Sequence, residues 1–330
     1  MRLLASICIA AVLIILTGCQ QAQKPGVTGK GEKVLLLVNF KPDKPLKYKF
    51  VSERNFQVNL DENNPKASGG KLAEKLEMVI SYQAVGEPDE EFVTTVKATC
   101  GSVKVTRKGK FSERGPDPVE SLAGKSYTFK IDSVGNIVDF TEINELARQL
   151  GEKAISDAGV QGRIKKPDMI ADFLSLQLFF WDAVSSAPQG IDGISPGQSW
   201  TSKQYFPLPV PIRFTRQTTY TLAEPETSAD QDDNKLIIKS DYGIGEGQVE
   251  NWPKIYSGSF QMRGTFGFLR NFRLRSLEGT GRQVFNLDRG VIESASENYK
   301  IKLGASLLIS LKGVSPVVDL DQRISAELIE

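Results

Sequence analysis

The chain has 330 residues, and its 41 lysines and arginines against 40 aspartates and glutamates give a formal net charge of +1. Such a balance does not indicate a nucleic-acid partner or electrostatic binding to an anionic membrane. The chain has no histidine, which excludes Ser-His-Asp and Cys-His catalysis and every metal site that depends on imidazole.

Residues 1–18 have the pattern of a secretory signal peptide. A single arginine precedes an almost purely apolar stretch, Leu3 to Leu16, and Gly18 directly precedes Cys19. The apolar stretch is about 15 residues long, whereas a helix that crosses a bilayer needs roughly 20. The sequence therefore predicts cleavage, with an uncleaved anchor and an ordinary signal peptide followed by a chance cysteine as alternatives.

The four residues from Leu16 to Cys19, Leu-Thr-Gly-Cys, resemble the lipobox of bacterial lipoproteins. The resemblance implies that the Cys19 thiol is acylated, that the bond between Gly18 and Cys19 is cleaved, and that the new N-terminus is acylated. Because two or three acyl chains hold a protein stably on a membrane, Cys19 is the predicted membrane anchor.

Residues 19–33 are the predicted lipidated N-terminus and polar tether, with a reach of about 20 Å if the tether is flexible. Gln20 occupies the position at which an aspartate favours retention in the inner membrane of Gram-negative bacteria. By this resemblance we expect the protein to be anchored in the cell envelope, on the outer membrane rather than the inner membrane. It would face the periplasm or the cell surface.

The mature chain begins with strand patterns, first in "KVLLLVNF" and "LKYKFVSERNFQVNL". The clearest strand is "KLAEKLEMVISYQAV", in which alternate apolar residues share a face and Glu74 is the exception. Such alternation is typical of a half-buried antiparallel strand. "EFVTTVKATCGSVKVTRKG" continues in the same way, with a predicted bulge at Gly101, where the alternation shifts phase.

Cys100 is the single cysteine expected to keep a free thiol, because Cys8 would leave with the signal peptide and Cys19 would be acylated. No disulfide within the mature chain is then possible. Alternation places Phe92, Val96 and Cys100 on the same strand face. A buried, unreactive thiol is the favoured interpretation, and a reactive thiol is the alternative.

A hairpin and two helices are predicted next. "SYTFKIDSVGNIVDF" reads as two strands around an Asp-x-x-Gly turn, and apolar residues then recur every three or four positions from Thr141, a suitable N-cap. The second helix is predicted from Pro167 to Ser186. Its apolar residues, among them Phe173, Phe180 and Trp181, wrap most of its circumference, unlike those of an amphipathic surface helix.

Three interpretations of this second helix remain open. It could be a plug that fills the core of a curved sheet, the lid or inner wall of a lipid-sized cavity, or a helix inserted into the bilayer surface.

The strand pattern resumes after Pro188, and in "SGSFQMRGTFGFLRNFRLRS" the side chains of Phe260, Phe266 and Phe268 share a face beside glycines that permit bending. Together with the three aromatic residues of the second helix, they are the predicted ligand-binding residues.

The chain is predicted to form one β-rich domain over residues 34–330. Two similar halves, at about 34–140 and 198–305, flank a helical insert at 141–187. The predicted fold class is α+β, with a strongly curved antiparallel β-sheet, an open half-barrel, packed on two central helices.

A duplication is suggested by two similar stretches, "FKIDSVGNIVDF" at 129–140 and "FNLDRGVIESAS" at 285–296. Both run from Phe through an Asp to a turn glycine and then to an isoleucine. Chance similarity between two hairpins is the alternative.

The lipobox, the Asp-x-x-Gly hairpin and the "PGQSW" turn at 196–200 resemble a family of bacterial envelope lipoproteins classed as a domain of unknown function, over roughly residues 35–310. More distantly, long curved strands with helices between them resemble the lipoprotein carriers and mycobacterial lipid carriers. In those proteins an open half-barrel holds acyl chains beneath helices, which implies a similar architecture here.

Two functions remain open. The first is a non-catalytic module that binds an apolar or lipid-like ligand in its concave sheet, and the second is a structural or scaffolding lipoprotein with a filled core that contacts other envelope proteins.

We expect no catalytic residue, no cofactor, no metal site and no nucleic acid. A Ser-Lys hydrolase or a two-carboxylate glycosidase would not need histidine, but we find no motif for either. The predicted partners are the membrane, through the acyl chains of Cys19, and the ligand or envelope proteins.

Overall fold

The computed structural model describes residues 33–330 apart from 63, 65–67, 110–115, 157–168, 190–192, 207, 209–211, 213, 225–233, 248, 250–268 and 308–313. The strands in this part of the chain are β1 (Leu46–Asn59), β2 (Ser68–Ala84), β3 (Thr94–Gly109), β4 (Ser126–Ile131), β5 (Ile137–Asp139), β6 (Ser199–Tyr205), β7 (Thr215–Leu222), β8 (Lys235–Gly245), β9 (Leu269–Asn286), β10 (Val291–Leu307) and β11 (Val317–Leu328). The helices are α1 (Thr141–Ser156), α2 (Ile170–Phe179), α3 (Asp182–Ser185) and a 3₁₀ helix (Pro118–Leu122).

All eleven strands lie in one curved antiparallel sheet, in the order β5-β4-β3-β2-β1-β11-β10-β9-β8-β7-β6. Strands β1 to β5 extend towards one edge and β10 to β6 towards the other, and β11 pairs with both β1 and β10 between them. The sheet is open, with β5 and β6 at its edges. The predicted α+β class with a curved, open antiparallel sheet packed on helices is confirmed.

The strands form where the sequence alternates, because one face of the sheet is covered by α2 and α3. We call this the inner face. In β2 the predicted apolar residues are buried on it, and Glu74 is buried among them. The predicted bulge at Gly101 is also confirmed, because Val79 pairs with Ser102 while Ile80 pairs with Cys100, which leaves Gly101 as the extra residue.

The helices differ from the prediction at two points. Thr141 is the first residue of α1 rather than its N-cap, and the Asp139 carboxylate accepts a hydrogen bond from the Thr141 amide at 2.9 Å. The predicted helix from 167 to 186 is interrupted, since α2 ends at Phe179 and α3 begins at Asp182. This break lets the Asp182 side chain reach Ser202 and Tyr220 of the sheet, which a continuous helix pattern does not reveal.

The predicted first strand, "KVLLLVNF", is an extended segment outside the sheet, and we call residues 34–40 the N-terminal strap. Its hydrogen bonds go to loops instead of to a strand edge. Val34 pairs with Ile194, the Val38 amide donates to Ser133, and the Asn39 amide donates to Gly290. The strap therefore ties together three connections at one end of the sheet.

Two predicted hairpins are present as β4–β5 and β9–β10, with Gly135 and Gly290 in their turns at positive φ. The first hairpin lies at an edge of the sheet, whereas the second lies next to β11 near its middle. The similar stretches 129–140 and 285–296 therefore occupy different positions in the sheet.

Candidate functional site

We call α2, α3 and the two residues between them the helical segment (residues 170–185). Three of the predicted ligand-binding residues, Phe173, Phe180 and Trp181, belong to this segment. All three are buried. The Phe180 ring meets the rings of Tyr48 and Phe50 edge-on, with centroids 4.9 and 5.3 Å apart. Such edge-to-face contacts are typical of a packed aromatic core.

The other predicted site residues lie outside the described residues. These are Phe260, Phe266 and Phe268, together with Gly18 and Cys19 at the predicted cleavage and lipidation site. The structure therefore brings together the three predicted ligand-binding residues of the helical segment, and the contribution of the other three stays a prediction.

In the described part of the chain, two small cavities lie between α2–α3 and the sheet, on either side of Gln283. Their volumes are about 10 and 20 Å³, and Phe179 and Glu297 line both. A cavity needs roughly 10–15 Å³ to hold one water molecule. The Gln283 Nε2 donates to the Phe180 carbonyl at 2.9 Å, while its Oε1 has no hydrogen-bond partner in the described structure. Each cavity thus has room for about one water, next to an acceptor that could bind it.

A buried ionic network joins α2 to the first half of the sheet. We call Arg54, Glu74, Arg107, Asp117 and Asp172 the Asp172 cluster. The Arg54 guanidinium donates to Glu74 at 2.7 Å and also to Asp172, and Arg107 donates to Glu74 at 2.7 Å and to Asp117. Every member is almost completely buried.

A second buried network joins α3 to the other half of the sheet. The Asp182 cluster consists of Asp182, Arg216, Tyr220, Glu297 and Tyr299. The Tyr220 hydroxyl donates to Asp182 at 2.6 Å, and the Arg216 guanidinium lies 3.7 Å from the carboxylates of both Asp182 and Glu297. Arg216 also donates to the Tyr299 hydroxyl. The helical segment is therefore bound to β1 on one side, through Arg54, and to β7 on the other, through Arg216.

Burial raises the pKa of both carboxyl groups that the helical segment contributes. For Asp172 the burial is opposed by the charge of Arg54 and by the hydrogen bond from Ser52. For Asp182 it is opposed by the charge of Arg216 and by the hydrogen bonds from Tyr220 and Ser202. The arginines thus compensate only part of the cost of burying these charges.

Sequence reasoning missed both clusters. Asp172 and Asp182 interrupt an otherwise apolar segment, and Glu74 interrupts the apolar face of β2. Acidic residues at such positions are almost never fully buried unless they are paired. These interruptions were the available indication of buried ion pairs, although they do not identify the arginines.

The opposite, outer face of the sheet carries a polar groove with a volume of about 760 Å³. It crosses five adjacent strands, β1, β11, β10, β9 and β8. Its outward-facing side chains form two rows of cross-strand neighbours, which are Glu53, Arg323, Asn298, Thr280 and Asp241 in one row and Asn55, Asp321, Lys300 and Glu278 in the other.

Charges of both signs alternate along these rows, so oppositely charged residues stand next to each other on paired strands. Arg323 is paired in register with Glu53, and Lys300 with Asp321 and Glu278. Such cross-strand pairs stabilise a sheet modestly. The groove is concave, and its outward-facing polar side chains can form hydrogen bonds and charge pairs with a partner.

Cys100 is buried on the inner face, as the alternation predicts. Burial raises the pKa of its thiol to about 12. Because the thiolate is the reactive form, the favoured interpretation of an unreactive thiol agrees with this position. Phe92, which the same alternation places beside it, is instead 71% exposed in the loop before β3. The alternation does not extend into that loop, because the β2–β3 turn ends the strand.

The described residues contain no group of three or more His, Cys, Asp or Glu side chains arranged to hold a metal ion. No helix among the described elements is both long and apolar enough to cross a bilayer.

Comparison with known proteins does not assign the chain to a family. No protein-family model matches it, and no curated protein matches its sequence. Among solved structures, lipovitellin, studied for its lipid–protein interactions, gives a TM-score of 0.43 at 14% identity over 88% of this chain. The chain spans 26% of that lipovitellin chain.

A mutant porin from Rh. blastica gives a TM-score of 0.17 at 8% identity, over 84% of this chain and 99% of the porin. Both scores are too low to support an argument about function. The functional interpretation therefore depends on the geometry of this chain.

Proposed function

We propose that this chain is a lipid-anchored, non-catalytic protein of the bacterial envelope, with a curved sheet filled by its own helices. It acts through contacts of its surface with other envelope proteins. The observation that supports this function is the burial of α2, all ten residues of which are buried. Ligand pockets usually measure about 300–1,000 Å³, whereas the two cavities that described residues line beside α2 measure about 10 and 20 Å³.

The anchor in this proposal is Cys19, acylated after cleavage behind Gly18, as the lipobox resemblance implies. The outer membrane, facing the periplasm or the cell surface, is the proposed location. The outer groove is the surface that we propose for partner contacts, because it is concave and polar and lies on the face opposite the helices.

A second candidate function is the binding of an apolar or lipid-like ligand between α2 and the inner face, as in the carriers that the architecture resembles. It is favoured by the unpaired Oε1 of Gln283 and the cavities on both sides of it, because packing is incomplete where Phe179 and Phe180 meet β9 and β10. A ligand of acyl-chain size would have to displace α2, and with it the contacts of Asp172.

Native mass spectrometry separates the two functions. Residues 20–330, exported behind a cleavable secretory signal and purified without detergent, should show the mass of the polypeptide alone under native conditions. A stoichiometric extra mass that is lost on denaturation and extracted as lipid would reject the filled core and support the second candidate.

A further inference from the structure

Among the residues that the structure describes, most of the exposed large apolar side chains lie at one end of the sheet. Those that are at least two-fifths exposed are Leu35, Leu37, Val85, Phe92, Val138, Ile244 and Ile329. All of them except Ile244 lie at the end where β1 begins. Ile244 lies at the opposite end, one residue before β8 ends.

The register of the sheet places four of these six residues at that end, and the strap, which is hydrogen-bonded to loops there, adds Leu35 and Leu37. Tyr48 near the start of β1 pairs with Ile80 near the end of β2 and with Leu328 at the end of β11. Val85 and Phe92 belong to the loop that joins β2 to β3, Val138 lies just after the β4–β5 turn, and Ile329 follows β11. We call this end, with its six exposed apolar residues, the anchor-side rim.

Phe92 is the most exposed member of the rim, at 71%, and its φ is +59°. A bulky residue with positive φ is a genuine outlier. Asp89 holds the loop in this shape, because its Oδ1 accepts hydrogen bonds from the amides of Glu91 at 3.0 Å and Val93 at 2.9 Å. The loop therefore holds an aromatic side chain out in water, and such strained positions are concentrated at functional sites.

The N-terminal strap brings the rim to the predicted membrane anchor. Its residues alternate between buried and exposed, and Leu35 and Leu37 are on the exposed side. Fifteen residues lie between Cys19 and Leu35, and this stretch of chain can span at most about 55 Å when fully extended. A bilayer that holds the acyl chains of Cys19 therefore lies within reach of the rim.

We propose that the anchor-side rim rests on the bilayer and inserts Phe92 and its apolar neighbours into the lipid interface. This inference depends on the proposed function, because the anchor at Cys19 selects the membrane as the surface that the rim meets. Exposed charges of both signs surround the rim, namely Lys33, Lys41 and Lys44 against Asp43, Glu87, Asp89, Glu90 and Glu91. The contact is therefore apolar, and zwitterionic lipids are sufficient for it.

The test uses two variants, each with one environment-sensitive fluorophore, at opposite ends of the sheet. The protein used is residues 20–330, which contain every described residue, with a hexahistidine sequence added before Gln20. The vesicles are phosphatidylcholine with a small fraction of nickel-chelating lipid, and the hexahistidine sequence binds the protein to them. The labelled variants are Glu91→Cys at the rim and, as the matched control, Glu246→Cys at the opposite end. Cys100 stays unlabelled because it is buried and its thiol pKa is raised to about 12.

We expect the label at position 91 to shift to shorter wavelength on vesicles and to lose most of its emission when the lipids carry a nitroxide on their acyl chains. The label at position 246 should keep its emission. Adding Phe92→Gly should restore the emission at 91, since glycine adopts a positive φ freely and the loop keeps its shape. Ile244→Ser is the control substitution and should leave the emission at 91 unchanged.

Water-like emission at position 91 on vesicles, or quenching that Phe92→Gly does not change, would overturn the proposal. The anchor is tested separately, because the hexahistidine tether does not use Cys19. Palmitate labelling of the full chain that Cys19→Ser does not abolish would reject acylation at Cys19. The vesicle experiment would still show whether the rim contacts lipid.

Discussion

At the scale of single residues, Arg54 and Arg216 each meet a carboxylate that the helical segment brings into the core. Both arginines and Asp172 are almost completely buried, and Asp182 is buried as well. A buried ion pair is weak evidence for stability, because desolvation offsets much of the attraction. Removing one partner is nevertheless expensive, since it leaves a charge in the interior without compensation. We therefore infer that the two arginines mainly determine where α2 and α3 lie against the sheet, and contribute less to the free energy of unfolding.

Arg54→Met should lower the free energy of unfolding by about 3–5 kcal/mol, because Asp172 then loses the arginine that neutralises it. Adding Asp172→Leu removes the uncompensated charge, and Glu74 keeps its hydrogen bond from Arg107. The double variant should be more stable than the sum of the single variants predicts by about 1–3 kcal/mol. Urea unfolding of the double-mutant cycle measures this coupling, and strictly additive effects would contradict the role assigned to Arg54.

At the scale of elements, β9 depends on a glycine whose missing side chain makes room for two tyrosines. A Cβ atom on Gly279 would overlap the Asn298 carbonyl oxygen and come within 3.0 Å of the Tyr242 ring. Tyr242 and Tyr299 lie with ring centroids 4.6 Å apart, and Arg216 donates to the Tyr299 hydroxyl. The packing of β9 and the Asp182 cluster are thus coupled.

Gly279→Ala should destabilise the protein by about 1–3 kcal/mol, which is typical when an added methyl group forces a packed site to shift. Gly243→Ala in the adjacent strand is the matched control, because a Cβ there meets no heavy atom within 4 Å. Thermal unfolding should show a lower melting temperature for the first variant alone. Equal melting temperatures for the two variants would mean that β9 adapts to the methyl group without cost.

At the scale of the whole molecule, β11 joins the two halves of the sheet. It pairs with β1 from Tyr48 to Asn59 and with β10 from Ser294 to Gly304. It also supplies Gln322, the Nε2 of which donates to Asp172 at 2.9 Å. The C-terminal strand therefore completes both the sheet and the cluster that holds α2.

A chain that ends at Ser315 should fail to fold, because β1 and β10 lose their shared partner and expose two strand edges in the middle of the sheet. The matched control ends at Leu328 and loses only Ile329 and Glu330. Soluble yield and cooperative thermal unfolding distinguish the two. A cooperative transition at the wild-type temperature in the shorter chain would show that β11 is dispensable.

Much of the secondary structure could be predicted because burial on one face produces an alternation that local sequence displays. The half-buried β2, the bulge at Gly101, the turn of the β4–β5 hairpin and the buried Cys100 all follow from such local patterns. The strap did not follow, because "KVLLLVNF" alternates like a strand while its hydrogen bonds go to loops. The break between α2 and α3 was also missed, because apolar residues surround it on both sides.

The sequence by itself determined the α+β class, the order of strands and helices, and the all-round apolar helical segment, because each depends on the spacing of apolar residues along the chain. Only the tertiary structure decided that β11 lies between β1 and β10, that Arg54 and Arg216 neutralise Asp172 and Asp182, and that six of the seven exposed large apolar residues in the described part of the chain share one end. These features join residues up to hundreds of positions apart. The geometry of strand pairing determines which of these residues meet, and the spacing of apolar residues along the chain does not contain this information.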